Sequence, residues 1–140
     1  MILKSASIGK HTLYGHLWIL CLRILAGSFI LTHGIPKLTE LLSGNEIVFI
    51  DPLGLGATFS FALVVFAEVL CAIFIILGLF TRLASIPLMI NMIGATLTVH
   101  AGQPFAQKEL ALLYLILFAT LFVFGSGKFS IDMLFGKKQS

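Results

Sequence analysis

A few polar residues stand out in an otherwise apolar chain: Arg23, His33, Lys37, Glu68, Asn91, His100 and Glu109. Their chemistry divides into two kinds. Glu68, His33 and Glu109 can accept and release protons, and histidine does so near neutral pH. Arg23, Lys37, Asn91 and His100 are hydrogen-bond donors suited to an oxygen-bearing ligand. Most of them fall within or beside hydrophobic stretches long enough to cross a bilayer. An ionisable side chain there is expensive and is a functional-site candidate by default.

The composition explains why so few charges carry weight. Apolar residues make up 59% of the 140-residue chain and charged residues only 11%. A soluble globule is nearer about 45–50% and about 25%. The mean hydropathy is +1.08. Thirteen Phe must therefore face something other than water, and lipid is the simplest environment. A net charge of +3 without a basic stripe or an aromatic platform excludes a nucleic-acid interface. The length implies a single domain over residues 1–140.

Stepping along the chain gives four predicted spans, at about 14–35, 57–79, 83–99 and 109–124. Residues 1–13 read as a mildly basic amphipathic or unstructured tail. The hydrophobic run that follows is too long for a signal-peptide core and has no small-residue cleavage site, so it is a retained first helix. Pro36 is expected to stop that helix. The loop after it, 36–56, is expected to hold a short surface helix over KLTELLSG, with Phe49, Ile50 and Leu53 tucked against the bundle. The expected fold is all-α, an integral-membrane antiparallel four-helix bundle. Placing both termini in the cytoplasm gathers Lys4, Lys10, Arg82, Lys128, Lys137 and Lys138 on that side, as the positive-inside rule prefers. Lys37 and Lys108 then lie outside, and the compartment is a bacterial inner membrane.

Depth counting suggests partners. At about 1.5 Å per residue, Arg23 is about 13 Å below Tyr14, and Glu68 lies near the midplane of the second span. An unpaired charge at that depth is severely penalised, so an Arg23–Glu68 ion pair, direct or through one intervening group, is expected. Gly27 and Gly34 share the Arg23 face and admit a close helix or a planar ligand. His33, Lys37, His100 and Glu109 are expected to converge above that pair, toward the outer surface. A quinone headgroup needs such donors at its carbonyls and such a proton route to water.

Each residue also has a plainer reading. Lys37 can snorkel, Glu109 can offset a helix dipole, and the whole polar set can be a packing network. His33 and His100 are competing candidates for haem ligation, but no CxxCH or HExxH motif supports a metal, and none is assigned. Cys21 and Cys71, without a CxxC, read as small hydrophobes. His11, Tyr14 and His16 read as interface residues. Lys128 and Asp132 are spaced to pair on a final short helix.

The combination of LRILAGSFILTHGIPKL (22–38), Glu68 within FAEVL, LGLFTRLAS (77–85) and GSGKFSID (125–132) resembles the DoxX family of small bacterial membrane proteins. Arg23, His33, Gly34 and Lys37 match its first-span pattern, Glu68 its acidic residue, and Gly78, Thr81 and Arg82 its turn. Gly125, Gly127, Ser130 and Asp132 match its terminal pattern. The resemblance implies a four-helix inner-membrane protein of a group often labelled oxidoreductases, with relatives tied to quinone-linked sulfur oxidation or to redox-defence assemblies. The reading that follows is a membrane subunit of a redox system, with a quinone-like partner and an associated soluble or membrane oxidoreductase. Its rivals are a non-enzymatic anchor or scaffold and a small oligomeric transporter, with membrane lipid and a second copy of the chain as further partners.

Overall fold

The structure, a computed structural model, describes residues 2–136, with side chains from residue 13 onward. The expectations placed on the side chains of Lys4, Lys10, His11, Lys137 and Lys138 lie outside the described residues. The chain is all-α, with no strand among the described residues. Helix α1 runs Ile2–Leu42, α2 Ala57–Leu77, α3 Thr81–Val99 and α4 Phe105–Phe124, and a short α5 covers Ile131–Gly136. Four helices, with α1 counted over Leu13–Leu42, are long and apolar enough to cross a membrane.

The core follows from small and apolar residues at helical spacing. Ile19, Ala26 and Ile30 of α1 meet Ala67, Cys71, Ala72 and Ile75 of α2. Leu88 and Met92 of α3 and Tyr114, Phe118 and Leu121 of α4 complete it. The outward faces carry Phe29, Phe59, Phe66, Ile90, Leu97 and Ile116 in the open. Such a continuous apolar exterior is stable only against lipid.

Helix α1 departs from expectation at both ends. Its first turns are helical from Ile2, where a tail was expected, and Pro36 lies inside it rather than ending it. Proline removes one backbone bond, a loss that transmembrane helices tolerate with local help. The hydroxyls of Thr32 and Thr39 nearby bond back to the carbonyls of Phe29 and Ile35, not to the Thr32 carbonyl that Pro36 leaves without its N–H. The KLTELL stretch thus prolongs α1 instead of forming a surface helix. At the other bundle ends the changes are small, except that α4 begins at Phe105, a full turn before Glu109.

The loop at 43–56 is ordered by Asp51. Its carboxylate accepts hydrogen bonds from the backbone N–H of Leu55 (3.1 Å) and Gly56 (2.7 Å) and from the Ser60 hydroxyl (2.7 Å). Ile47 and Phe49 pack on Phe61 and Val65, with Phe49 edge-on to Phe61. Phe49 therefore tucks in as expected, whereas Ile50 and Leu53 are exposed.

Candidate functional site

The expected Arg23–Glu68 pair does not form. Helices α1 and α2 are antiparallel in a register that sets Gly34 against Glu68 and Gly27 against Ala72 and Ile76. Arg23 consequently meets the far end of α2 at Gly78. The depth count failed at its origin: it took Tyr14 as the membrane edge, whereas α1 is helical from Ile2 and its early turns run past the end of α2, so Arg23 lies at the base of the bundle and not at its middle.

Arg23 is 1% exposed and bonds only to peptide oxygens. Nε donates to Ile75 (3.1 Å), Nη2 to Ile76 (3.3 Å), and Nη1 to Phe129 (2.8 Å) and to Ser126. The guanidinium thereby satisfies the last carbonyls of α2, where a cation also complements the helix dipole. Asp132 completes this base. It accepts from the N–H groups of Phe80 (2.8 Å) and Thr81 (3.3 Å) and caps the start of α3, while its own N–H donates to the Gly78 carbonyl. The expected Lys128–Asp132 pair is replaced by this cap, since backbone donors at a helix start hold a carboxylate better than an exposed lysine does. Arg82 reaches the Val123 carbonyl at the end of α4 (3.1 Å).

The buried carboxylate has other partners. Lys37 Nζ lies 2.8 Å from both oxygens of Glu68, and Asn91 Nδ2 donates to Glu68 Oε1 at 2.8 Å. The Glu68 side chain is 4% exposed and that of Lys37 is 34% exposed. Three helices thus contribute one polar group each. Gly34 makes the close approach possible, because a Cβ there would stand 2.7 Å from the Glu68 carbonyl oxygen. A π-helical turn over Phe66–Cys71 contains Glu68, and such turns recur at functional sites. A second one, Ala95–Val99, follows Asn91 on α3. There Thr96 and Thr98 bond back to the carbonyls of Met92 and Gly94.

The remaining candidates make no hydrogen bond to this cluster among the described residues. His33 is exposed on α1 and meets the buried Tyr114 edge-on, with ring centroids 6.2 Å apart. His100 is held by Gln103 (2.9 Å) in the turn after α3. Glu109 is exposed, without a hydrogen bond among the described residues, and lies beyond the first turn of α4. Of His33, Lys37, His100 and Glu109, Lys37 is the one hydrogen-bonded to Glu68 among the described residues. These residues do share the same end of the bundle, since α1 and α3 run toward it and α4 starts there.

Both cysteines are free. Cys71 is buried as expected, and Cys21 is exposed on the apolar exterior. No group of three or more His, Cys, Asp or Glu able to hold a metal occurs among the described residues. Sequence reasoning missed Asp132 as a cap and Tyr114 as the neighbour of His33. The second had a signal, the spacing Ala111, Tyr114, Phe118, Leu121 along one buried face.

Comparison with known proteins agrees with this architecture. A family model described as DoxX matches residues 18–101. An uncharacterised membrane protein of Mycobacterium tuberculosis is 30% identical over 145 residues, covering 86% of this chain and 82% of that protein. An uncharacterised protein of Haemophilus influenzae is 35% identical over 127 residues, covering 84% and 90% respectively. No solved structure matches.

Proposed function

The chain belongs to the DoxX family, and from that premise we propose that it is a membrane subunit of a redox system, with Glu68, Lys37 and Asn91 as its ligand-facing site. One observation carries the reading: a nearly buried carboxylate in an apolar span is ion-paired to a lysine that is one-third exposed. Two of the three ammonium donors face Glu68, which leaves one for an incoming oxygen. The Asn91 carbonyl oxygen has no partner among the described residues and can accept a proton-bearing group. This donor and acceptor set fits the carbonyl and hydroxyl forms of a quinone-like headgroup. Such a group, when bound, would supply two-electron, two-proton chemistry, with electrons delivered by an associated oxidoreductase.

The residues' own tasks follow from their placement. Lys37 polarises an oxygen, and Glu68 holds or releases the proton beside it. Asn91 fixes the carboxylate orientation. His33, one helical turn before Lys37, and His100 and Glu109 at the same end pass protons toward water. Arg23 is withdrawn from the ligand site, because its donors are spent on peptide carbonyls. A bacterial inner membrane with both termini in the cytoplasm fits the basic base of the bundle.

The test is quinone retention by the full-length protein purified in mild detergent and supplied with decylubiquinone. About one quinone per chain is expected, with loss in Lys37→Met and no loss in Lys108→Gln. Equal retention by wild type and Lys37→Met, or none by either, overturns the reading. A second reading, a membrane anchor for an oxidoreductase, is favoured by the engagement of both Glu68 oxygens within the protein. It predicts an empty protein that still co-purifies with its soluble partner.

A further inference from the structure

The end of the bundle opposite Glu68 holds a cavity of about 600 Å³, bounded by His16, Thr81, Arg82, Leu83, Gly127 and Lys128 among others. Three residues with cationic or donor side chains line it from separate elements: His16 of α1, Arg82 of α3 and Lys128 of the loop between α4 and α5. The Lys128 N–H donates to His16 Nδ1 (3.3 Å). In the neutral ring this leaves the Nε2 hydrogen as a donor.

The start of α3 adds backbone donors. Asp132 occupies the N–H groups of Phe80 and Thr81. The N–H groups of Arg82 and Leu83, next along the first turn, have no acceptor among the described residues. Orphan donors at a helix start are a ready anion site. Thr81, at the floor of the cavity, is 1% exposed, and its hydroxyl has no hydrogen-bond partner among the described residues. Gly125 and Gly127, both with positive φ, carry the loop past Arg82 and Ile19 without a side chain in the way.

A second, smaller groove of about 300 Å³ shares Phe80 and Leu83 with this cavity and continues along Phe66, Phe74, Ile86 and Pro87. A basic recess joined to an apolar groove on the lipid-facing side has the form of an amphiphile. We propose that this is a binding site for an anionic phospholipid, its phosphate on Arg82, Lys128, His16 and the α3 N-terminus, and one acyl chain in the groove. Arg82 and Lys128 outweigh the single Asp132 carboxylate, which is already engaged by two amides. The site requires phosphate chemistry, and the groove assigns it to a lipid rather than to free phosphate.

The test uses native mass spectrometry of the full chain in detergent, titrated with phosphatidylglycerol, with phosphatidylcholine, and with inorganic phosphate. One saturable phosphatidylglycerol adduct is expected, with phosphatidylcholine much weaker. Lys128→Gln should weaken it about five-fold, the share of one lysine beside an anionic lipid, and Lys108→Gln should leave it unchanged. Lys128 is exposed and makes no side-chain bond among the described residues, so its variant folds. Equal binding of the two lipids, or no effect of Lys128→Gln, overturns the proposal. Inorganic phosphate that binds while the lipid does not also overturns it, in favour of a soluble oxyanion.

Discussion

Lys37→Met isolates what the ion pair contributes. The substitution keeps length and apolar volume but leaves Glu68, 4% exposed, with only the Asn91 amide. Removing one partner of a fully buried pair costs about 3–5 kcal/mol, chiefly because a buried charge is left uncompensated. Lys37 is one-third exposed, and solvent screening lowers the value of such a pair. The expected cost is therefore about 2 kcal/mol. For a chain of this size that corresponds to a fall in Tm of about 5–8 °C, readable by thermal unfolding in detergent. The decisive measurement is the cycle with Glu68→Gln. With the carboxylate gone, Lys37→Met should cost less than about 0.5 kcal/mol, because nothing is left to compensate. An equal cost in both backgrounds would refute the reasoning and make Lys37 a packing residue.

Other outcomes follow from single contacts. Gly34→Ala places a methyl 2.7 Å from the Glu68 carbonyl oxygen, a backbone atom that cannot swing aside. It should cost about 1–3 kcal/mol by overpacking and should weaken the Lys37–Glu68 contact, seen as a lower Tm. Gly27→Ala meets Cγ1 of the β-branched Ile76, which is stiff at χ1, and the Ala72 carbonyl oxygen at 3.1 Å, and should cost a similar amount in the same assay. Asp51 is held below the ordinary carboxylate value, first by the Ser60 hydroxyl and then by the Gly56 and Leu55 amides. A depressed folded-state pKa means that its stabilisation is complete above about 3.9, the unfolded value, and is lost as pH falls through the folded value. Amide-exchange protection at Leu55 and Gly56 should decline over that acid range, and in Asp51→Asn it should be weak at every pH. Arg23→Lys retains the charge but cannot reach four carbonyls with a planar fork. Its membrane accumulation should drop several-fold, and a wild-type level would show that the base does not depend on the guanidinium.

The four spans were legible because lipid exposure demands apolar residues all round, and only about 20 of them in a row can meet that demand. Glu68, Lys37 and Asn91 were legible as polar exceptions to it. Their grouping was not. Tyr14 was taken as the membrane edge, whereas the early turns of α1 overshoot the end of α2, so Arg23 was matched to Glu68 across a register the helices do not adopt. The π-helical turn around Glu68 has no residue-type signature. Neither has the choice of partner for Arg23, because a peptide carbonyl is present at every position and marks none.

That difference in partners separates the two charged centres by what each is able to do. Every acceptor of Arg23 is a backbone oxygen, which neither titrates nor moves without unfolding a helix end. The arginine is thus fixed for as long as the bundle exists. Glu68 is met by two side chains, one of them reaching the surface. Those can rotate away, share a proton or accept a ligand without breaking the backbone ladder. A membrane protein with few charges can spend one on architecture and keep the exchangeable pair for chemistry, and only the pair with side-chain partners is able to change state.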